Sequence, residues 1–277
     1  MKANIIDGKA IAKEIQKEVT SQIQKLGLNP GLGVILVGND PCSELYVKLK
    51  QKAAQKVGIN FNLYNFDEDI RQEEILETIE WLNKDEEIDA ILIQLPLPKH
   101  LDTSAIIKSI NPKKDVDGFH PENIKAYLNN EETIVPGLSM GIAQLLQSTQ
   151  ENLSKKECSI IARSKEFTQT LKHTLKAFDI NSSIINPDDK NALDKIDSAD
   201  IVITASGKPN WIQSKNIKDH SILIDVGTTQ VKEKTIGDID FESCSKKADW
   251  ITPVPGGVGP MTVAMLLKNT IALANKK

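Results

Sequence analysis

The chain has 277 residues, 40% hydrophobic and 26% charged, which fits a soluble globular protein of one large or two medium domains, two being the expectation. Its 34 basic and 38 acidic residues give a formal charge of −4, so nothing draws it generally to nucleic acid or membrane, and a small molecule is the expected partner. Cys42, Cys158 and Cys244 lack the paired spacing of a zinc site and the density of a disulfide scaffold; they read as small packed residues in a reducing, cytoplasmic setting. No apolar run reaches the ~18 residues of a spanning helix, and the stretch from Met1 to Asp7 lacks a signal-peptide core.

After Asp7-Gly8, the spacing of Ile11, Ile15, Val19 and Ile23 predicts a long helix ending near Gly27. Pro30-Gly31 turns the chain into a strand over Leu32 to Val37. The turn Gly38-Asn39-Asp40-Pro41 then leads to a second helix, with Ser43 as N-cap or first-turn residue and Gly58 closing it. Leu45, Leu49, Ala53 and Val57 are expected to form its apolar stripe, and Lys48, Lys52 and Lys56 its wet face. Lys50 falls on neither stripe and lies one turn beyond Tyr46, so phenol and amine project from the same face. In a partly closed cleft desolvation would lower the amine's pKa and let it shuttle protons; spacing alone favours a solvated helix lysine.

A strand is expected at Asn60 to Phe66, a helix through Ile75, Ile79 and Leu82, and a buried strand at Ala90-Ile91-Leu92-Ile93. This alternation predicts an α/β fold with a parallel sheet covered on both faces. Gln94 sits at a strand's carboxyl end, where ligands bind in open α/β sheets, and Pro96 and Pro98 stiffen the loop after it. A short helix around Ile106 to Ile110 precedes Lys114-Asp115-Val116-Asp117-Gly118. Its two carboxylates are compatible with an Asx-type turn or with a carboxylate facing a ligand rich in N–H donors; a calcium loop needs further ligands that are absent. His120 borders this turn and reads as a loop or capping histidine; Trp81, Trp211 and Trp250 read as packing residues.

Tyr46-x-x-x-Lys50, Gln94-Leu95-Pro96-Leu97-Pro98, Lys114 to Gly118, and Thr252-Pro253-Val254-Pro255-Gly256-Gly257-Val258-Gly259-Pro260-Met261-Thr262 resemble, in order and spacing, bifunctional methylenetetrahydrofolate dehydrogenase/methenyltetrahydrofolate cyclohydrolase. The resemblance covers nearly the whole chain. It implies two parallel-sheet domains flanking a cleft: a folate-binding catalytic domain of residues 1–135 and 257–277, and a Rossmann-like NAD(P)-binding domain of residues 136–256. It implies oxidation of 5,10-methylenetetrahydrofolate with NADP, or NAD, and hydrolysis of the methenyl product to 10-formyltetrahydrofolate, serving purine biosynthesis. A homodimer formed through the second domain is also implied.

By the same resemblance Lys50 is the central catalytic group, Tyr46 packs over the folate rings, Gln94 tunes the lysine and Asp117 binds the pterin. Ile93, Leu95, Pro255, Gly256, Gly257, Gly259 and Thr262 complete the expected folate site. The glycines would let backbone approach a ligand, and Pro260 would start a last helix carrying Val263, Leu266, Leu267 and Ile271. For the cofactor the resemblance points to Ala162, Arg163, Ser164, Ser206, Gly207 and Thr228.

That second half departs from the family pattern. Typical members carry Gly-Arg-Ser and then Val-Gly-x-Pro; here Ala162 precedes Arg163-Ser164, Thr168 replaces the later glycine and Thr170 the proline. Those side chains and the Glu166 charge are expected to weaken dinucleotide binding. Asn-Pro-Asp-Asp-Lys follows Ile185 in place of His-Ser, Thr228 stands where isoleucine is common, and Pro136-Gly137-Leu138-Ser139 replaces Pro-Cys-Thr-Pro. The strands Cys158 to Ala162, Ser182 to Asn186, Ala199 to Ala205 and Ile222 to Gly227, a helix Met140 to Gln147, and Gly237-Asp238-Ile239-Asp240 keep the domain's pattern. Besides the bifunctional enzyme, three readings stay open: a cyclohydrolase with weak or lost dehydrogenase activity, a non-catalytic folate-binding paralogue, and a nicotinamide enzyme for an unrelated substrate.

Overall fold

The computed structural model describes residues 2–232 and 234–276. In chain order, β1 (Asn4–Ile5) and α1 (Gly8–Leu26) precede β2 (Gly31–Val37), α2 (Pro41–Val57), β3 (Asn60–Phe66), α3 (Gln72–Lys84), β4 (Ala90–Ile93), α4 (Thr103–Ser109) and α5 (Pro121–Leu128). Then come α6 (Gly137–Gln147), β5 (Glu157–Ala162), α7 (Lys165–Lys176), β6 (Asn181–Ile185), β7 (Ile201–Ala205) and β8 (Ile222–Asp225). A hairpin of β9 (Thr229–Val231) and β10 (Lys234–Ile236), α8 (Phe241–Cys244), β11 (Trp250–Ile251) and α9 (Val258–Ala274) end the chain. Among the described residues no helix is long and apolar enough to cross a membrane.

Two compact units result. One comprises Lys13–Gly137 with the residues from Val263 on; the other comprises the residues through Ala12 with Leu138–Thr262. The division expected from sequence differs near the carboxyl end, where the return to the first unit comes at Val263 rather than at residue 257, and at the amino end. There β1 pairs in parallel with β11, Asn4 opposite Trp250 and Ile5 opposite Ile251, and this ladder draws the first residues into the later unit.

In the first unit β3, β2 and β4 form a parallel sheet with β2 central. Every residue of Gly31–Val37 is buried, as expected of a strand covered on both faces. Ile35, Ile75, Ile79, Ile91 and Ile106 pack in one cluster, each such side chain stabilising the fold by roughly 1.5–3 kcal/mol. The chain runs from β2 to β3 on one side and then to β4 on the other, so the strand order reverses at the carboxyl ends of β2 and β4.

The other unit holds a six-stranded parallel sheet in the order β1-β11-β8-β7-β5-β6. From β5 the chain goes out to the edge strand β6 and returns past β5 to β7, placing a reversal at the carboxyl ends of β5 and β7. Its core gathers Ile161, Val202, Leu223 and Ile251. Cys158 and Cys244 lie buried here and burial raises both thiols, so neither behaves as a nucleophile. Trp81, read from sequence as a packing residue, is 54% exposed and only edges against Tyr64.

Candidate active site

Helix α2 has Ser43 in its first turn, one of the two places expected for it. Asp40 is the N-cap, accepting from Ser43 N at 2.8 Å, and Gly58 closes the helix at φ 94°. The buried face is not the expected one: Leu45 and Leu49 are 51% and 48% exposed, while Ser43, Val47, Ala54 and Val57 are buried. Alternating steps of four and three residues follow the 3.6-residue turn, and Lys50 occupies the middle of this stripe. The lysine therefore lies on the inward face, within the buried stripe rather than off it as its spacing suggested.

There Lys50 Nζ donates to Gln94 Oε1 at 2.9 Å. Gln94 is 8% exposed; its backbone N–H bonds Ile35 O at 2.8 Å, and its side-chain Nε2 bonds Leu95 O at 2.7 Å. With its amide nitrogen so held, the glutamine turns its oxygen to the lysine. Burial lowers the Lys50 pKa, opposed by the negative charge of Asp117. Asp117 in turn is pushed up to about 6 by burial, against the pull of Lys50 and with a push from Asp115. Tyr46 lies one helical turn before Lys50 and is half-buried.

The two aspartates have separated tasks. Asp115 is 2% exposed and accepts from His120 N at 2.7 Å and Asn123 Nδ2 at 2.9 Å, so it is the turn-holding residue. Ile91 N bonds Lys114 O at 2.7 Å and Asp115 bridges to Ile91 in parallel, which lays this segment along β4. Asp117 thereby comes up beside the end of the strand that delivers Gln94. His120 caps α5, accepting from Glu122 N through Nδ1 at 3.2 Å. Ile93 is 5% exposed and belongs to the core behind the site, whereas Leu95 is half-buried.

One supporting residue was not singled out from sequence. Asn269 of α9 donates through Nδ2 to Val116 O at 2.9 Å and Val135 O at 3.0 Å, fixing the backbone next to Asp117. An asparagine on a largely apolar helix is the signal that marks it.

The loop 253–257 belongs to the other unit. A Cβ on Gly8 would stand 1.8 Å from Gly257 O, and one on Gly257 would stand 2.6 Å from Thr252 Cβ. Gly257 is thus required by its own chain's packing rather than by the approach of a ligand. Gly256 has φ 122°, open to glycine alone; Pro255 is exposed, Gly259 half-buried, and Thr262 Oγ1 bonds Gly259 O at 2.7 Å in the first turn of α9.

At the reversal of the six-stranded sheet, Arg163 and Ser164 follow β5, while Ser206 and Gly207 follow β7. Arg163 Nη1 donates to Ser206 O at 2.5 Å, tying the two loops together. Asp238 accepts from Thr204 Oγ1 at 2.8 Å, Ser206 N at 2.6 Å and Lys208 N at 3.0 Å, which explains the retained Gly-Asp-Ile-Asp segment. Gly207 is exposed at φ 67° with open space where a Cβ would stand, and Thr228 is exposed. Ser164 caps α7, accepting from Phe167 N at 3.2 Å, and the remaining first-turn N–H groups suit an anion.

Ala162 and Thr168 are 5% and 3% exposed. Both are buried, which speaks against their side chains standing in the path of a phosphate. Thr168 Oγ1 bonds Lys165 O at 3.1 Å, and Thr170 Oγ1 meets Ser139 Oγ at 3.1 Å. Two departures from the resembled pattern, Ser139 and Thr170, therefore satisfy each other. At the start of α7 Glu166 opposes an anion, its carboxylate accepting from Ser164 Oγ at 3.1 Å.

Comparison with known proteins agrees with this geometry in both halves. Residues 6–117 match the family model of the tetrahydrofolate dehydrogenase/cyclohydrolase catalytic domain, and residues 136–277 match that of the NAD(P)-binding domain. The chain belongs to the tetrahydrofolate dehydrogenase/cyclohydrolase family. The bifunctional protein FolD of Vesicomyosocius okutanii subsp. Calyptogena okutanii is 45% identical over 97% of each chain, and that of Bacillus subtilis is 41% identical over 100% of this chain and 99% of its own. The Campylobacter jejuni FolD methylenetetrahydrofolate dehydrogenase/cyclohydrolase crystal structure, 38% identical, superposes with a TM-score of 0.93 over 99% of both chains. The Trypanosoma brucei enzyme, crystallised with NADP and an inhibitor, is 33% identical with a TM-score of 0.95, covering 100% of this chain and 98% of that one. As a family member the chain is an enzyme of folate one-carbon metabolism with an NAD(P)-binding domain.

Proposed function

We propose that the chain oxidises 5,10-methylenetetrahydrofolate with NADP and hydrolyses the resulting 5,10-methenyltetrahydrofolate to 10-formyltetrahydrofolate. The observation that carries the second step is the buried Lys50 amine on Gln94 Oε1, its pKa lowered by desolvation. Hydrolysis adds water to a cationic carbon between two nitrogens; the water loses both protons, one passing to the ring nitrogen as its bond to that carbon breaks and the other released to solvent as the formyl C=O forms. An amine whose pKa is lowered by burial holds its proton less tightly, so it takes the first proton at Nζ and returns it to the leaving nitrogen. Asp117, ionised above about 6, accepts paired N–H donors of the pterin. Tyr46 covers the rings, and Leu95 adds a folate contact beside Gln94.

For the oxidation, bound NADP supplies a hydride acceptor for the methylene carbon. Arg163 and Ser164, with the first turn of α7, hold its phosphates; Ser206, Gly207 and Thr228 border the ring end. The charge of Arg163, the capped helix start and the open space over Gly207 support that fit. Cytoplasmic location, a contribution to purine biosynthesis and a homodimer belong to the same proposal. The edge strand β6, with Ile184 45% exposed, supports self-association through the NAD(P)-binding unit.

A second reading, a cyclohydrolase with weak or lost dehydrogenase activity, keeps one observation in its favour, the Glu166 carboxylate at the α7 start. A paired assay on the purified chain separates the two. Methenyltetrahydrofolate hydrolysis without cofactor, plus methylenetetrahydrofolate oxidation with NADP, is the expected result. Hydrolysis alone would establish the second reading, and folate binding with neither activity would make the chain a non-catalytic paralogue.

A further inference from the structure

The segment after β6 carries an acid that neither proposed reaction uses. Asp188 lies three residues beyond Ile185, its turn fixed by its own N–H bonding Asn186 Oδ1 at 3.0 Å. In a βαβ dinucleotide unit the end of the second strand faces the adenosine ribose. An acidic residue there bonds the free 2′-hydroxyl of NAD, and an arginine nearby receives the 2′-phosphate of NADP. Here β5, α7 and β6 are that unit, and both residue types are present and bound to each other.

Arg163 grips Asp188 with two bonds, Nε to Oδ2 at 2.8 Å and Nη2 to Oδ1 at 2.9 Å. Lys208 Nζ approaches the same carboxylate at 3.2 Å, while lying 4.6 Å over the Trp211 ring and donating to Pro187 O at 2.5 Å. About half of the Arg163 and Asp188 side chains remains open to solvent, at 49% and 54%. The pair is reachable by a ligand.

We infer that Asp188 is the residue that sets the balance between the two dinucleotides, because its carboxylate already occupies the two cations that a 2′-phosphate needs. NADP binds by displacing this internal anion; NAD leaves it in place and offers it a ribose hydroxyl. The inference rests on the proposed dinucleotide site and deepens it. A carboxylate within ~4–5 Å of a phosphate at an exposed site opposes it, on the order of a tenfold change in affinity.

The test is titration of the full-length protein with NADP and with NAD, for the wild type, Asp188→Asn and Asp188→Ser. Asparagine keeps the shape of the turn, and serine covers the case in which asparagine does not fold. The expected result is an NADP dissociation constant about tenfold lower in the variants, with NAD unchanged or weaker. An equal gain for both dinucleotides, or no gain for NADP, overturns the role of Asp188 while leaving the cofactor site standing. Binding of neither dinucleotide by any form overturns both.

Discussion

Lys50 Nζ meets Gln94 Oε1 at 2.9 Å, and the other end of that amide is tied to Leu95 O at 2.7 Å. The relationship pairs a titrating amine with an acceptor that carries no charge. A neutral partner orients the amine without holding its proton, so the desolvation that lowers its pKa persists.

Gln94→Glu supplies the missing charge in nearly the same shape. A carboxylate against the amine raises the Lys50 pKa and keeps the proton on it at neutral pH. The pH–rate profile of methenyltetrahydrofolate hydrolysis should move upward by roughly one unit or more, with a lower rate at pH 7. An unmoved profile would separate Gln94 from the tuning of the lysine.

Asp117 sets a different pH dependence. Its folded-state pKa is raised from an ordinary 3.8 to about 6, so the folded protein holds this proton more tightly than the unfolded chain. The destabilisation from its charge is therefore present above about 6 and relieved as pH falls toward 3.8. Folate affinity runs the other way, weakening as pH drops through about 6 and the paired acceptor is protonated. Asp117→Asn should flatten both dependences, which binding titrations and thermal melts from pH 5 to about 8 will reveal.

Asn269 is an anchor beneath the site. Asn269→Ala leaves Val116 O and Val135 O without their donor. A loss of about 1–3 kcal/mol in unfolding free energy is expected, together with a raised KM for folate as the Asp117 backbone loosens. Denaturant unfolding and steady-state kinetics check the two parts, and a stability loss with unchanged KM would confine Asn269 to the fold.

The elements that sequence reveals best are those whose burial is uniform. Gly31–Val37 and Ala90–Ile93 are apolar throughout because parallel strands are covered on both faces. The face of α2 was misread for a geometric reason: residues four apart drift by roughly 40° per step, so Leu45 and Leu49 rotate outward from the stripe that holds Val47 and Ala54. A charged residue at the centre of a buried stripe interrupts the pattern that would reveal it. The two-residue strands β1 and β11 are too short for any periodicity, and their pairing moves the first residues into the other unit. Asn269 and Asp238 hold loops distant in sequence, and no local spacing announces such bonds. The departures at Ser139 and Thr170 look damaging one at a time and are paired in space.

The measurement that bears most directly on this account compares wild type with Lys50→Met, following methenyltetrahydrofolate hydrolysis without dinucleotide and thermal unfolding side by side. Methionine fits the buried stripe and removes a desolvated amine, at the cost of one acceptor left on Gln94, so stability should stay within about 1 kcal/mol of wild type. Hydrolysis should fall by on the order of 100-fold or more, the scale of a lost proton-transfer group. A folded variant that hydrolyses methenyltetrahydrofolate at the wild-type rate would contradict the place given to Lys50 and with it the chemistry assigned to this site.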